Sequence, residues 1–184
     1  MRIAILTVSD RASRGEYEDR SGPEIERVLE EAGLGAAADN TGAAADTPGA
    51  EFIREIVSDD AEAIRAALDR LGGAGATADA AATANPDPAD FILTTGGTGL
   101  GPRDITPDVT RAWCERDLPG IAEAIRAASL AETKTAMLSR GYAGVRGQTI
   151  VVNLPGSVKG AGFAASVIAP IMSHAIAMLR GGGH

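Results

Sequence analysis

The chain predicts an α/β domain with a mostly parallel central sheet, and three observations carry that expectation. Short β-rich runs at 3–8 (IAILTV), 52–57 (FIREIV), 90–95 (DFILTT) and 149–154 (TIVVNL) alternate with segments of helical period. The first of them is nearly continuously apolar, as a strand covered on both faces must be in a parallel sheet. At 184 residues the chain is long enough for one well-buried core and short for two, so 1–184 reads as a single domain.

Taken in order, the run at 3–8 is expected to be the first, central strand. A polar loop from Ser9 to Ser21 follows, and Gly22-Pro23-Glu24 opens a helix whose Ile25, Val28 and Leu29 share one face before Gly33 ends it. The next stretch repeats GAAAD at 35–39 and 42–46 and offers almost nothing large to bury. It reads as a flexible Ala/Gly-rich insertion at about 34–50. A strand at 52–57 leads to Asp59-Asp60, helix-capping residues, and to a helix with Ile64, Leu68 and Leu71 as its buried stripe. A second insertion of the same kind occupies about 72–88. After the strand at 90–95, a Gly-rich stretch enters a helix with Thr106 at its N-cap and Pro107 in the first helical position. A helix from about Gly120 has Ile121, Ala124, Ile125 and Ala128 along one face, and the strand at 149–154 is followed by a Pro155-Gly156-Ser157 turn and helix to Leu179, restarted at Pro170.

Composition excludes several function classes. A net charge of -8 opposes non-specific nucleic-acid binding, which needs a broad basic surface. Cys114 is the single cysteine, so an intramolecular disulfide or cysteine metal cluster is excluded and a reducing compartment is expected. The N-terminal apolar run is too short for a signal-peptide core, and no later run is expected to reach membrane-spanning length; the expectation is a cytoplasmic protein.

The polar, Gly-rich segments are 9–22, 58–60, 96–108 and 155–159, each directly after an expected strand. In a parallel sheet they converge on the carboxyl edge, where α/β folds bind ligands. The longest, TTGGTGLGPRDITPD at 94–108, is neither a Walker A loop, since no Lys-Ser/Thr follows the glycines, nor a G-x-G-x-x-G fingerprint. Its glycines would still let backbone amides face an anion at a helix N-terminus, with Arg103 as a compensating charge. Asp104 is either a solvated loop carboxylate or, with a Mg²⁺ between it and a phosphate, part of the site. Lys159, one of only two lysines beside fifteen arginines, is either a surface charge or a phosphate partner. Ser139-Arg140 reads as loop surface or ligand contact, His174 as a structural histidine, and Trp113 and Cys114 as core or flanking positions.

Four segments together resemble the molybdopterin adenylyltransferase family of molybdenum cofactor biosynthesis, which includes the MogA and MoaB proteins and the G domain of gephyrin. They are VSDRASRGEYEDRSGP at 8–23, TTGGTGLGPRDITPD at 94–108, LSRGYAGVRGQTIVVNLPGSVKG at 138–160 and HAIAMLRG at 174–181. The resemblance implies a three-layer α/β fold assembled as a homotrimer. It implies a reaction in which the terminal phosphate of molybdopterin attacks the α-phosphate of Mg-ATP, releasing pyrophosphate, with the protein positioning charged groups around Mg²⁺. ATP and molybdopterin are then the substrates, and a molybdate-inserting enzyme is a possible downstream partner.

Carried over by position, the resemblance makes Asp104 and Asp59 the catalytic and Mg²⁺-side carboxylates. Gly96, Gly97, Thr98, Gly99 and Arg103 become the loop around the nucleotide and pterin phosphates. Ser157 and Lys159 match the turn at the pterin phosphate, Asp10, Arg11 and Ser13 the first-strand loop, and Ser139 joins the substrate-binding set. Two positions depart from the family pattern: Ser58-Asp59 replaces Pro-Asp, with Asp60 adjacent, and Val158 replaces a proline before Lys159. The alternative within the same family is a non-catalytic molybdopterin-binding or scaffolding trimer.

Overall fold

The computed structural model describes residues 1–35, 49–72 and 87–182, so the expected insertions lie outside the described residues except at their ends. The six strands are β1 (Arg2–Val8), β2 (Glu51–Val57), β3 (Phe91–Thr95), β4 (Arg116–Asp117), β5 (Ala143–Arg146) and β6 (Thr149–Leu154). They form one sheet in the order β2-β1-β3-β6-β5-β4. The first four in that order are parallel, with Val8 opposite Val57, Thr7 opposite Thr95 and Thr95 opposite Leu154. The expected strands are therefore present, and the sheet is extended by two short antiparallel strands. β5 turns into β6 through Gly147, whose φ of 54° suits the tight connection.

Helices α1 (Asp10–Ser13), α2 (Ser21–Leu29), α3 (Ala61–Leu71), α4 (Thr106–Trp113), α5 (Pro119–Ser129) and α6 (Val158–Leu179) complete three layers. Successive residues of β1 face opposite ways. Ile3 and Ile5 join Phe91, Leu93, Ile150 and Val152 beneath Ile25, Leu29, Ile125, Ile168 and Met172 of α2, α5 and α6. Ala4, Leu6 and Val8 join Ile92 and Val151 beneath Ile64, Leu68, Leu71 and Trp113 of α3 and α4.

Several local readings shift. Asp60 alone caps α3, accepting from the amides of Glu62 and Ala63 at 3.0 Å each, which leaves Asp59 free for another role. Thr106 is the first residue of α4 instead of its cap; Ile105 stands at the cap position with no side-chain cap bond. The reason is that the Thr106 amide donates to the Gly97 carbonyl at 3.2 Å while its side chain is fully buried.

Helix α6 does not restart at Pro170 but runs through it. Pro170 and Ser166, whose carbonyl loses its helical partner, are both exposed, so water can take the bond. This helix is long and apolar enough to cross a membrane by length and composition, yet it packs its alanines and Met172 into the core. His174 lies on its exposed side. On α5 Ala122 and Ile125 are buried and Ile121 packs against the core, while Ile121 and the exposed Ala124 also line an apolar groove of about 420 Å³ with Leu118, Val167 and Ile171.

Candidate functional site

The strand order reverses at β1, which has β2 on one side and β3 on the other, so the crevice between the β1 and β3 loops is the topological switch point. The four polar loops meet there. Ser9 donates its amide to the Val57 carbonyl at 2.8 Å, joining the β1 and β2 loops, and Thr95 Oγ1 donates to the Pro155 carbonyl at 2.7 Å, joining those of β3 and β6. Gly96 and Gly97 follow with φ of 103° and 61°, conformations open to glycine. A side chain on Gly96 would run into the Val8 carbonyl, so the β3 loop rests directly on the end of β1.

At the β2 side, Asp59 and Asp10 are locked together. Asp59 Oδ2 accepts from the Asp10 amide at 2.7 Å, and Asp10 Oδ1 accepts from the Asp59 amide at 3.1 Å. The other oxygen of Asp10 pairs with Arg103 Nη2 at 2.5 Å, tying the Gly-rich loop to the first-strand loop. Asp59 Oδ1 faces Gly97, lying 3.5 Å from the point a Cβ there would occupy. Asp104 is folded into its own loop: Oδ2 accepts from the Gly101 amide at 2.7 Å. A Cβ on Gly99 or Gly101 would stand 2.9 or 2.8 Å from that oxygen, so bare glycines make room for the carboxylate.

On the β6 side the Gly-rich loop forms one wall of a cavity of about 520 Å³. Thr98, Gly99, Ser139, Ser157 and Lys159 line it, and Leu100, Ile125, Leu138, Pro155 and Phe163 supply an apolar surface. Ser157 caps α6 by accepting from the Gly160 amide at 3.2 Å, and Lys159 Nζ reaches the cavity rim beside Glu132 Oε2 at 2.9 Å. That pair is largely exposed and is worth under about 1 kcal/mol, so a bound anion can draw the lysine away.

The structure thus arranges the expected site residues as an acidic end, a glycine loop and an apolar cavity along one sheet edge. Arg11 and Ser13 stand apart. Both lie on the exposed side of α1, Arg11 over the Tyr17 ring at 5.3 Å and Ser13 hydrogen-bonded to the Asp10 carbonyl at 2.9 Å.

Other residues carry more of the architecture than their sequence context suggests. Arg140 donates its amide to the Thr98 carbonyl at 2.9 Å and Nη1 to the Asp104 carbonyl at 3.1 Å, while its Nη2 grips Asp108. One residue, through its backbone amide and its side chain together, therefore ties both ends of the Gly-rich loop to α4. Asp19 fixes the first-strand loop, accepting from Thr7 Oγ1 at 2.8 Å and from the amides of Ser21 and Gly22. Beneath the loops, Asn153 donates to Thr94 Oγ1 at 2.9 Å and accepts from Thr110 Oγ1 at 3.0 Å and the Tyr142 amide at 3.2 Å. Cys114 is not chemistry-ready: burial pushes its thiol up to about 11, so at neutral pH it is protonated.

Among the described residues no group of three or more His, Cys, Asp or Glu side chains converges as a metal cage. The donors that do face the edge, Asp59 and Asp104, suit a cation that takes one or two carboxylates and fills its remaining positions with water and substrate phosphate, as Mg²⁺ does.

Residues 4–174 match the family described as a probable molybdopterin binding domain. The molybdopterin adenylyltransferase of Helicobacter pylori strain J99 is 34% identical over 181 residues, covering 98% of this chain and 89% of that one. Gephyrin of Dictyostelium discoideum is 33% identical across 97% of this chain and 22% of its own length. The crystal structure of the molybdopterin biosynthesis enzyme MoaB of Thermus thermophilus superposes with a TM-score of 0.74 at 39% identity, covering 99% of this chain and 98% of that one. The family that the motifs imply and the fold that the coordinates give agree across almost the whole chain: the protein belongs to the molybdopterin-binding domain family of molybdenum cofactor biosynthesis.

Proposed function

We propose that this protein is a molybdopterin adenylyltransferase, transferring AMP from Mg-ATP to the terminal phosphate of molybdopterin with release of pyrophosphate. The observation that carries the reading is the continuity of the acidic Asp10–Asp59 end, the Gly-rich loop and the apolar cavity along one sheet edge. An adenylyl transfer needs two phosphorylated substrates brought end to end, and a divided site of this kind offers a place for each.

An oxygen of the pterin phosphate forms the new bond to the α-phosphorus, and the bond from that phosphorus to the bridging oxygen of pyrophosphate breaks. No covalent protein intermediate is needed. Mg²⁺, when bound, offsets the charge that builds on the phosphates, with Asp59 and Asp104 as the residues that would hold it. The chain's own work is positioning. The cavity walls Leu100, Leu138 and Phe163 suit a planar heterocycle, Ser157 and Lys159 stand where its phosphate end would lie, and Thr98 and Gly99 of the Gly-rich loop border the junction. Arg103, drawn onto Asp10, and Arg140, on the loop carbonyls, hold that geometry before substrate arrives.

The same reading makes the protein a cytoplasmic enzyme and a homotrimer. Self-association is supported by the exposed apolar side chains Ile171 and Met178 of α6 and by its groove with α5. A sizing column with light scattering tests it, a trimer mass being expected. The activity is tested by pyrophosphate release from Mg-ATP and molybdopterin. Tight pterin binding without release would favour the scaffolding alternative.

A further inference from the structure

The geometry points to a second ligand site behind the Gly-rich loop, a seat for a phosphate-class oxyanion held by Arg111, Arg126, Arg140 and Ser139. These residues, with Pro107, Asp108 and Gly141, line a cavity of about 350 Å³ between α4, α5 and the connection into β5. Arg126 and Ser139 stand in the wall it shares with the larger cavity of about 520 Å³. Arg111 and Arg140 line only the smaller cavity, and Lys159 only the larger. The seat is therefore separate from the place that the adenylyl-transfer reading gives the pterin.

Three guanidiniums in one cavity stand out in a chain of net charge -8. Elsewhere on the surface arginines such as Arg27, Arg70 and Arg180 pair with carboxylates. Here Asp108 is the one carboxylate among the lining residues, and Arg140 Nη2 already grips it. Arg111 and Arg126 have no carboxylate partner among the described residues. The Arg111 guanidinium carbon lies 5.1 Å from the Tyr142 ring centre, a contact that orients the group without spending an N–H. Half-buried Arg126 gives one N–H to the Gly141 carbonyl at 2.7 Å, and Arg140 gives Nη1 to the Asp104 carbonyl at 3.1 Å. A guanidinium carries five N–H donors, so all three keep some for a ligand. Ser139 Oγ accepts from the Gly141 amide at 3.2 Å, which leaves its own proton to give.

This donor set selects its occupant. Guanidinium forks match phosphate oxygens in pairs. A tetrahedral oxyanion presents oxygens on all sides and can meet arginines from α4, α5 and the β5 connection together, whereas a carboxylate presents two in one plane. Apart from Pro107 the lining has no apolar side chain against which a ring could lie. The volume falls within the range of small-ligand sites, roughly 300–1,000 Å³, and has room for orthophosphate or a diphosphate.

Calorimetric titration of the full chain with inorganic phosphate and with pyrophosphate, at low ionic strength and without Mg²⁺, tests the seat. Arg111 is exposed, so its substitution leaves the core closed. Arg111→Gln should weaken oxyanion binding about 10-fold or more, and Arg111→Lys, which keeps the charge without the fork, should fall between it and wild type. Lys159→Gln should bind within about twofold of wild type. Tighter binding of pyrophosphate would identify a diphosphate as the occupant, and tighter binding of orthophosphate the free ion; either supports the seat. No binding of either ion by wild type would overturn the assignment. So would full affinity in Arg111→Gln, or an equal or greater loss in Lys159→Gln, which would place the ion in the larger cavity.

Discussion

Asp10 and Asp59, from the ends of adjacent parallel strands, each accept a hydrogen bond from the other's backbone amide, at 2.7 Å onto Asp59 and 3.1 Å onto Asp10. Two carboxylates side by side repel, and here each is offset by an amide, with Arg103 on the far oxygen of Asp10. The latch leaves Asp59 Oδ1 facing the Gly-rich loop.

Replacing Asp59 tests the latch and the chemistry separately. Asp59→Asn retains an acceptor for the Asp10 amide and should lose less than about 1 kcal/mol of stability, whereas Asp59→Ala opens the latch and should lose about 1–2 kcal/mol. Both should reduce pyrophosphate release by roughly 10²–10³-fold, because both remove the charge. Urea denaturation beside the activity assay gives the comparison; an Asn variant with full turnover would show that the charge is not used.

A second expectation concerns the loop backbone. Gly97 has a φ of 61° and presses against Thr106 Oγ1, whereas Gly15, with a φ of 72°, has nothing within 4 Å of a Cβ. Gly15→Ala should thus cost only the left-handed backbone strain, about 1 kcal/mol. Gly97→Ala adds an overpacking cost of about 1–3 kcal/mol and should distort the site as well. Equal denaturation midpoints for the two variants would contradict the close packing described here.

The fold was largely legible in the sequence because its four parallel strands and the apolar stripes of α2 and α3 are strong local signals. The antiparallel edge was not: β4 has two residues and β5 contains a glycine, so neither carries a pattern, and pairing with β6 alone defines them. On α5, Ile121 and Ile125 pack against the core as the periodicity indicates, whereas Ala124 is exposed in a groove with α6, a partner that local periodicity does not reveal. At the site, the motif residues of the four loops could be named, but their division of labour could not. From residue type and position alone Asp59 and Asp60 are both helix caps, and only the family resemblance singles out Asp59; the structure gives the helix cap to Asp60 and the edge to Asp59. Arg140 reaches the Asp104 carbonyl across 36 positions, and nothing in its surroundings along the chain marks it as an anchor of the loop. Thr106 resembled a cap because threonine before a proline commonly is one, and only its buried, unpartnered hydroxyl distinguishes it.

The cysteine offers a pH-dependent check on the buried side of α4. Burial holds the Cys114 thiol at about 11, above its ordinary value of 9.0, so the folded state binds that proton more tightly than the unfolded chain. Its contribution to stability is complete below about pH 9 and is lost as the pH rises toward 11. Thiolate is then about 100-fold scarcer in the folded protein than in the unfolded chain at pH 8. A thiol reagent should therefore modify the native protein at least that much more slowly than the urea-unfolded one, and equal rates would contradict the burial.

The most direct test of the central claim is single-turnover pyrophosphate release from Mg-ATP and molybdopterin by the wild-type protein and by Asp104→Asn. The variant retains an oxygen to accept the Gly101 amide and so preserves the loop. The account predicts release by wild type and a loss of roughly 10²–10³-fold in the variant with pterin binding intact. Undiminished release by Asp104→Asn, or none by wild type, would contradict it.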